Sequence, residues 1–193
     1  MLQQLFVSEV RLKILKLLLL HPDQSYHVRA IVRAVGAEIN AVRRELDNLI
    51  GINLLRKRQS SNKLFYTVDT THILYSDLLS LLSKEEGLGG KLVKRLKELG
   101  EIKYMMLAKA FLRGRASSAL DVDLFVVGDL RIDILEKIIK EYQQETNVEI
   151  NYSVMTEDEF RHRKRANDHF ITKILTQSRT MLVGDEEKFS SVI

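Results

Sequence analysis

The sequence predicts an α+β protein in two parts: helices and a hairpin first, then a second, α/β-type region with a small mixed sheet. Three observations predict this. Apolar residues recur at helical spacing up to residue 50, the period shortens to that of strands over 54–68, and from residue 102 strand-like and helix-like runs alternate. The length of 193 residues allows one large domain or two small ones. Hydrophobic residues make up 45% and charged residues 29%, enough apolar mass for a core, which excludes a disordered, collagen-like or repeat-dominated chain. There is no cysteine, so disulfide scaffolds and Cys-based zinc sites are excluded, in keeping with the cytoplasmic location we expect. The longest apolar run, 14–20, is interrupted by Lys16 and falls short of the ~20 residues a membrane span needs. No basic segment precedes an apolar stretch at the start, so neither a signal peptide nor a membrane partner is expected.

The first element is a helix over 8–20, SEVRLKILKLLLL, opened by Ser8 as N-cap and broken by His21-Pro22-Asp23. Ser25 is placed to cap a second helix over 26–35, with Val28, Ile31, Val32 and Val35 on one face and Gly36 ending it. A third helix over 39–50 turns Val42, Leu46, Leu49 and Ile50 inward. Extended runs at 54–58 and 64–68, separated by the polar tip 59–63, read as a hairpin. Three helices followed by a hairpin, with a short 36–38 turn between the second and third helices, make a winged helix-turn-helix over residues 1–70. Residues 71–100 return to helical spacing as a linker, with apolar surface sufficient to pack on a second subunit, so a homodimer is expected. Over 101–193 the pattern predicts strands at 104–107, 122–127, 148–155 and 181–183, and helices at 132–146 and 157–177.

The net charge of +4 is uninformative as a total and informative in its distribution. Residues 1–68 hold 11 Lys/Arg against 5 Asp/Glu, a net of +6, and residues 69–193 hold 19 against 21, a net of −2. A basic N-terminal third is the electrostatic footprint of a module that binds double-stranded DNA. On the third helix, Asn40, Arg43, Arg44, Asp47 and Asn48 lie off the apolar stripe, and Arg and Asn are the side chains that read guanine and adenine edges. Arg56, Lys57, Arg58 and Lys63 bring four cations to the hairpin, suited to the phosphate backbone or the minor groove. Ser25, Tyr26, His27 and Arg29 sit where the preceding helix would cross the backbone. The competing reading is of exposed charges on an ordinary helical bundle, or a winged helix that serves protein contacts.

Residues 108–128, AKAFLRGRASSALDVDLFVVG, resemble the signature of minimal nucleotidyltransferases of the polymerase-β superfamily: a Gly-Ser turn, then Asp-x-Asp entering an apolar strand. The resemblance implies that Asp121 and Asp123, on one face of a strand, hold magnesium, with a third carboxylate on a neighbouring strand and a nucleotide as second cofactor. Arg113-Gly114 matches the turn before the aspartates. Lys109 and Ala110 replace the Gly-Ser pair, which leaves Lys109 and Arg113 as the candidate phosphate contacts. Glu149 and Asn151 fit the position of the third carboxylate equally well.

With its GLGGKLVKRLKEL linker and closing LVGD, nearly the whole chain is similar to prokaryotic transcriptional regulators that fuse a winged helix to a nucleotidyltransferase-like domain. That resemblance implies a DNA-binding regulator, and with the Gly-Ser pair replaced by Lys109 and Ala110 its C-terminal domain is expected to have lost catalysis and to serve in sensing or oligomerisation. The alternative is an active magnesium-dependent nucleotidyltransferase that modifies a protein or RNA, with Asp121, Asp123 and Glu149 as its catalytic set and the winged helix for targeting. A second basic cluster, Arg161-His162-Arg163-Lys164-Arg165, reads as a solvated helix face.

Overall fold

A computed structural model describes residues 2–115, 118 and 121–191. It is an α+β structure whose contacts divide it into two compact units, one ending at Leu82 and the other beginning at Ser83.

In the first unit, α1 (Leu2–Leu5) precedes α2 (Glu9–Leu19), whose first turn is closed by the Ser8 hydroxyl accepting from the Arg11 amide at 3.1 Å. Leu12, Ile14, Leu15, Leu18 and Leu19 of α2 are buried, on more than one side of the helix. The second helix departs from expectation. Tyr26–His27 is a short strand, β1, and α3 runs only over Val28–Val35. His27, rather than Ser25, is its cap: Nδ1 accepts from the Ala30 amide at 3.2 Å. A two-residue strand has no periodicity to read, and its partner lies forty residues away in sequence: Tyr26 pairs with Tyr66 and His27 with Phe65. Gly36 ends α3 in the left-handed conformation, φ 61°, which a glycine adopts without steric cost.

The third expected helix forms as α4 (Ile39–Gly51), opened by Glu38, whose Oε2 accepts from the Asn40 and Ala41 amides at 2.7 and 3.1 Å. Val42, Leu46 and Leu49 are buried, each such side chain stabilising the fold by about 1.5–3 kcal/mol. The hairpin is longer and tighter than expected. β2 (Leu55–Ser60) and β3 (Lys63–Val68) pair from Leu55↔Val68 to Ser60↔Lys63, leaving only Ser61 and Asn62 as the loop. Ser61 takes the left-handed conformation such a tight turn demands, φ 52°. β3 lies between β1 and β2 in an antiparallel three-stranded sheet.

The expected linker is shared out. α5 (Tyr75–Ser83) closes the first unit, whereas α6 (Gly87–Lys94) and α7 (Leu96–Leu99) contribute Leu88, Leu92 and Leu99 to the core of the second. Gly89 and Gly90 allow α6 to start against the chain that precedes it: a Cβ at either would lie 2.2 Å from the carbonyl oxygen of Ser83 or Glu85.

The second unit continues with β4 (Gly100–Ala108), α8 (Lys109–Leu112), β5 (Leu124–Leu130), α9 (Ile132–Thr146) and β6 (Tyr152–Met155). It closes with α10 (Glu157–Arg165), α11 (His169–Thr176), β7 (Arg179–Val183) and α12 (Glu186–Ser190). The strands form a mixed sheet in the order β6-β5-β4-β7, parallel only between β5 and β6. Alternation along β5 sends Leu124 and Val126 to one face, with Leu88, Leu92, Leu135 and Ile138. Phe125 and Val127 go to the other, with Phe160, Ile171, Ile174 and Phe189.

Helix 132–146 forms as expected, ended by Asn147 in the left-handed conformation. Three other expectations are corrected. The strand expected at 122–127 begins only at Leu124: Asp121 is bonded by Ser118 and Lys173 and Val122 by Gln177, while Asp123 precedes the paired register although its carbonyl accepts from the Ala108 amide of β4. The strand expected at 148–155 is confined to 152–155. The helix expected at 157–177 breaks after Arg165: Asn167 turns left-handed, φ 51°, and Asp168 Oδ1 caps the next helix by accepting from the Ile171 amide at 3.1 Å. Among the described residues, no helix is long and apolar enough to cross a membrane.

Candidate nucleic-acid interface

In the first unit, α3, α4 and β3 border an open groove of about 1140 Å³. Arg29 and Arg33, one helical turn apart on α3, line one wall. Arg43 and Asp47, with the same spacing on α4, line a second, and Lys63 stands at the start of β3. Tyr66 forms part of the lining and is 5% exposed; burial raises its phenol, Asp47 pushes it the same way and Arg43 opposes. Four cations against one carboxylate make this groove strongly positive. None of the four forms an ion pair among the described residues.

The remaining expected contacts divide. Arg44 and Asn48 of α4 line a different, smaller groove of about 310 Å³ with Ser8 and Val10 of the α2 start. Asn40 is exposed at the first turn of α4, and Ser25 is exposed before β1. Tyr26 is half-buried and its hydroxyl donates to Gln24. His27 also borders the first groove, yet its ring is engaged twice, as the α3 cap and edge-on to Phe65 at 5.9 Å. Arg56, Lys57 and Arg58 lie in the β2 ladder, opposite Thr67, Tyr66 and Phe65, and not at the hairpin tip, so successive cations leave opposite faces of the sheet. Arg56 is moreover held by Asp69, through Nε at 2.9 Å and Nη2 at 2.7 Å. The Thr71 hydroxyl and amide, with Arg56, hold the Asp69 carboxyl down to about 2.

Sequence reasoning missed Arg33, Tyr66 and Asp69. Arg33 was findable, since four residues on from Arg29 is the same helix face. Asp69 carried no local signal, because its partnership with Arg56 spans the hairpin.

In the second unit, Asp121 and Asp123 lie in the irregular segment leading into β5 rather than on one face of it. Asp121 Oδ2 accepts from the Ser118 amide and hydroxyl at 3.0 and 2.9 Å, and Oδ1 accepts from Lys173 Nζ at 3.2 Å. The Ser118 donors, then Lys173, hold the Asp121 carboxyl below its ordinary range. Asp123 is buried, and its Oδ2 accepts from the Asn151 amide at 2.9 Å. Of the two residues that fitted the third position, Asn151 is the one bonded to Asp123, while Glu149 is exposed and precedes β6.

Lys109 opens α8 and Arg113 ends it. Among the described residues no group of three or more His, Asp or Glu side chains is placed to hold a metal ion, so the residues present do not fit a magnesium centre built on Asp121, Asp123 and Glu149. Residues 116, 117, 119 and 120 of the resemblance's signature lie outside the described residues. In the basic cluster at 161–165, Arg161 pairs with Glu157 and Arg163 with Glu159. Lys164 is the exception to a solvated face, being 8% exposed and donating to the Phe189 carbonyl at 2.7 Å.

No protein-family model matches the sequence, and no curated protein or solved structure matches it.

Proposed function

We propose that the first unit is a winged helix that binds duplex DNA, and that the chain is a homodimeric transcriptional regulator. The groove bordered by Arg29, Arg33, Arg43 and Lys63 carries this reading: four cations from three elements converge there without acidic partners among the described residues. Uncompensated cations on one surface are available to displace the counterions of a polyanion, which is the principal source of affinity for a DNA backbone. In this reading α4 enters the major groove, Arg43 addresses a base edge or phosphate, and the short β2–β3 hairpin lies along the adjacent backbone. A dimer presents two such units to two half-sites.

Fluorescence anisotropy of the full-length chain on promoter duplexes, from 50 to 200 mM salt, tests it. Each phosphate neutralised contributes about −0.9 to the slope of log affinity against log salt. A chain with no salt-dependent affinity for any duplex would sink the proposal.

The second unit, in the same reading, does not transfer nucleotides. Its support is the placement of the acids: Asp121 is engaged by Ser118 and Lys173, and Glu149 is exposed whereas Asp123 is buried. Labelled nucleoside triphosphates with magnesium and lysate provide the check; label transfer abolished by Asp121→Asn or Asp123→Asn would restore the enzymatic alternative.

A further inference from the structure

We propose that Lys173 stands in the place of a cation at the Asp121/Asp123 pair, so that the protein's own ammonium group holds this segment and no divalent ion is required. The bonding is continuous. Lys173 Nζ lies 3.2 Å from Asp121 Oδ1, and the other oxygen of that carboxylate is held by Ser118. Ser118 accepts, through its carbonyl, from Asn151 Nδ2 at 3.0 Å, and the Asn151 amide donates to Asp123 Oδ2. The two carboxylates are therefore joined by protein donors where a shared metal would otherwise join them.

A second grip comes from the same helix end. Gln177, one turn beyond Lys173, donates from Nε2 to the Val122 carbonyl at 3.3 Å. Positions four apart share a helix face, so Lys173 and Gln177 together hold residues 121 and 122 from one side. A divalent ion of the magnesium class demands near-octahedral oxygen ligands and loses its water reluctantly, whereas an ammonium needs only acceptors within hydrogen-bond reach. The inference concerns the second unit alone and stands whether or not the first unit binds DNA.

Titration of the full-length chain with Mn²⁺, followed by the loss of its free-ion electron paramagnetic resonance signal, tests it. The wild-type chain is expected to take up no stoichiometric Mn²⁺ below millimolar concentration. Lys173→Ala is expected to bind at least about tenfold more tightly, and the double variant Lys173→Ala/Asp121→Asn to lose that gain. Stoichiometric wild-type binding that Asp121→Asn removes would overturn the proposal, as would a folded Lys173→Ala chain with no gain. Should Lys173→Ala fail to fold, Lys173→Gln replaces it, keeping a donor without the charge, and the same two outcomes decide.

Discussion

The cations of the first-unit groove differ in what they face from the ion-paired cations of the second unit. Arg29, Arg33, Arg43 and Lys63 have no acidic partner among the described residues. In the second unit Lys91 pairs with Glu145, Arg95 with Glu98 and Glu141, Arg161 with Glu157, Arg163 with Glu159, Lys173 with Asp121 and Arg179 with Glu186. The groove cations are exposed, as are the side chains of Arg161, Arg163 and Lys173 of the second unit, and at such positions an ion pair is worth about 0–1 kcal/mol, so stability alone does not explain the division. The difference matters for association. A compensated cation must first release its own carboxylate before it can serve a phosphate, whereas an uncompensated one has only to displace the counterions condensed on the DNA.

Replacing Arg29, Arg33, Arg43 and Lys63 together by Gln should remove most duplex affinity and make the salt slope shallower by about 3–4, if each meets a phosphate. The control, Arg161→Gln with Arg163→Gln, removes two paired cations from the second unit and should leave affinity and slope unchanged. Equal losses per cation removed in the two variants would show that total charge, and not the groove, governs binding.

How much of this was legible in the sequence follows from how local each feature is. Helices α2, α4 and α9 were readable because their apolar periodicity lies within the segment itself, as with the Val42/Leu46/Leu49 stripe, and α2 carries its Ser8 cap as well. β1 was not, because two residues carry no period and Tyr26 is fixed by Tyr66. The residues 121–123 read as the start of a strand, since an Asp-Val-Asp-Leu-Phe-Val-Val run alternates correctly up to the buried stretch. What holds residues 121–123 ahead of the strand is mostly non-local: beside the neighbouring Ser118, bonds from Asn151, Lys173 and Gln177 reach them from distant segments. The groove was half legible, with Arg29, Arg43, Asp47 and Lys63 anticipated and Arg33 overlooked, while Arg56 was anticipated as available and is tethered.

Intermediate effects sharpen the contrast at the groove's edges. His27→Ala removes the α3 cap and the edge contact with Phe65, so stability should fall by about 1–3 kcal/mol in thermal or urea unfolding. The salt slope of duplex binding should stay the same, since the ring is engaged within the protein; a shallower slope would make it a phosphate contact as well. Asp69→Asn makes the opposite comparison, converting a compensated cation into an available one. Freed from its carboxylate, Arg56 should steepen the slope by up to about 0.9.

Asp69, held first by Thr71 and then by Arg56, has a pH signature. Because the folded Asp69 carboxyl is depressed from 3.8 to about 2, its contribution to stability is complete above the unfolded value and is lost as pH falls through 3.8 toward 2. Acid unfolding of the Asp69→Asn chain should lack that component.

The smallest effect concerns a pair whose removal should change almost nothing, which makes it the strictest control. Arg161 and Glu157 are an exposed i,i+4 pair on α10, and Glu157 also faces Lys103 at 3.6 Å. Arg161→Ala should cost no more than about 0.3–0.5 kcal/mol, read as a shift in the unfolding midpoint, with duplex binding untouched. The neighbouring Lys164→Met, by contrast, deletes a buried ammonium that donates to the Phe189 carbonyl, and leaves that acceptor without its donor. A larger loss at Lys164 than at Arg161 would show that one basic run contains two different kinds of cation, distinguished by burial and not by sequence position. Comparable small losses at both would instead return the whole cluster to the solvated face that its sequence suggested.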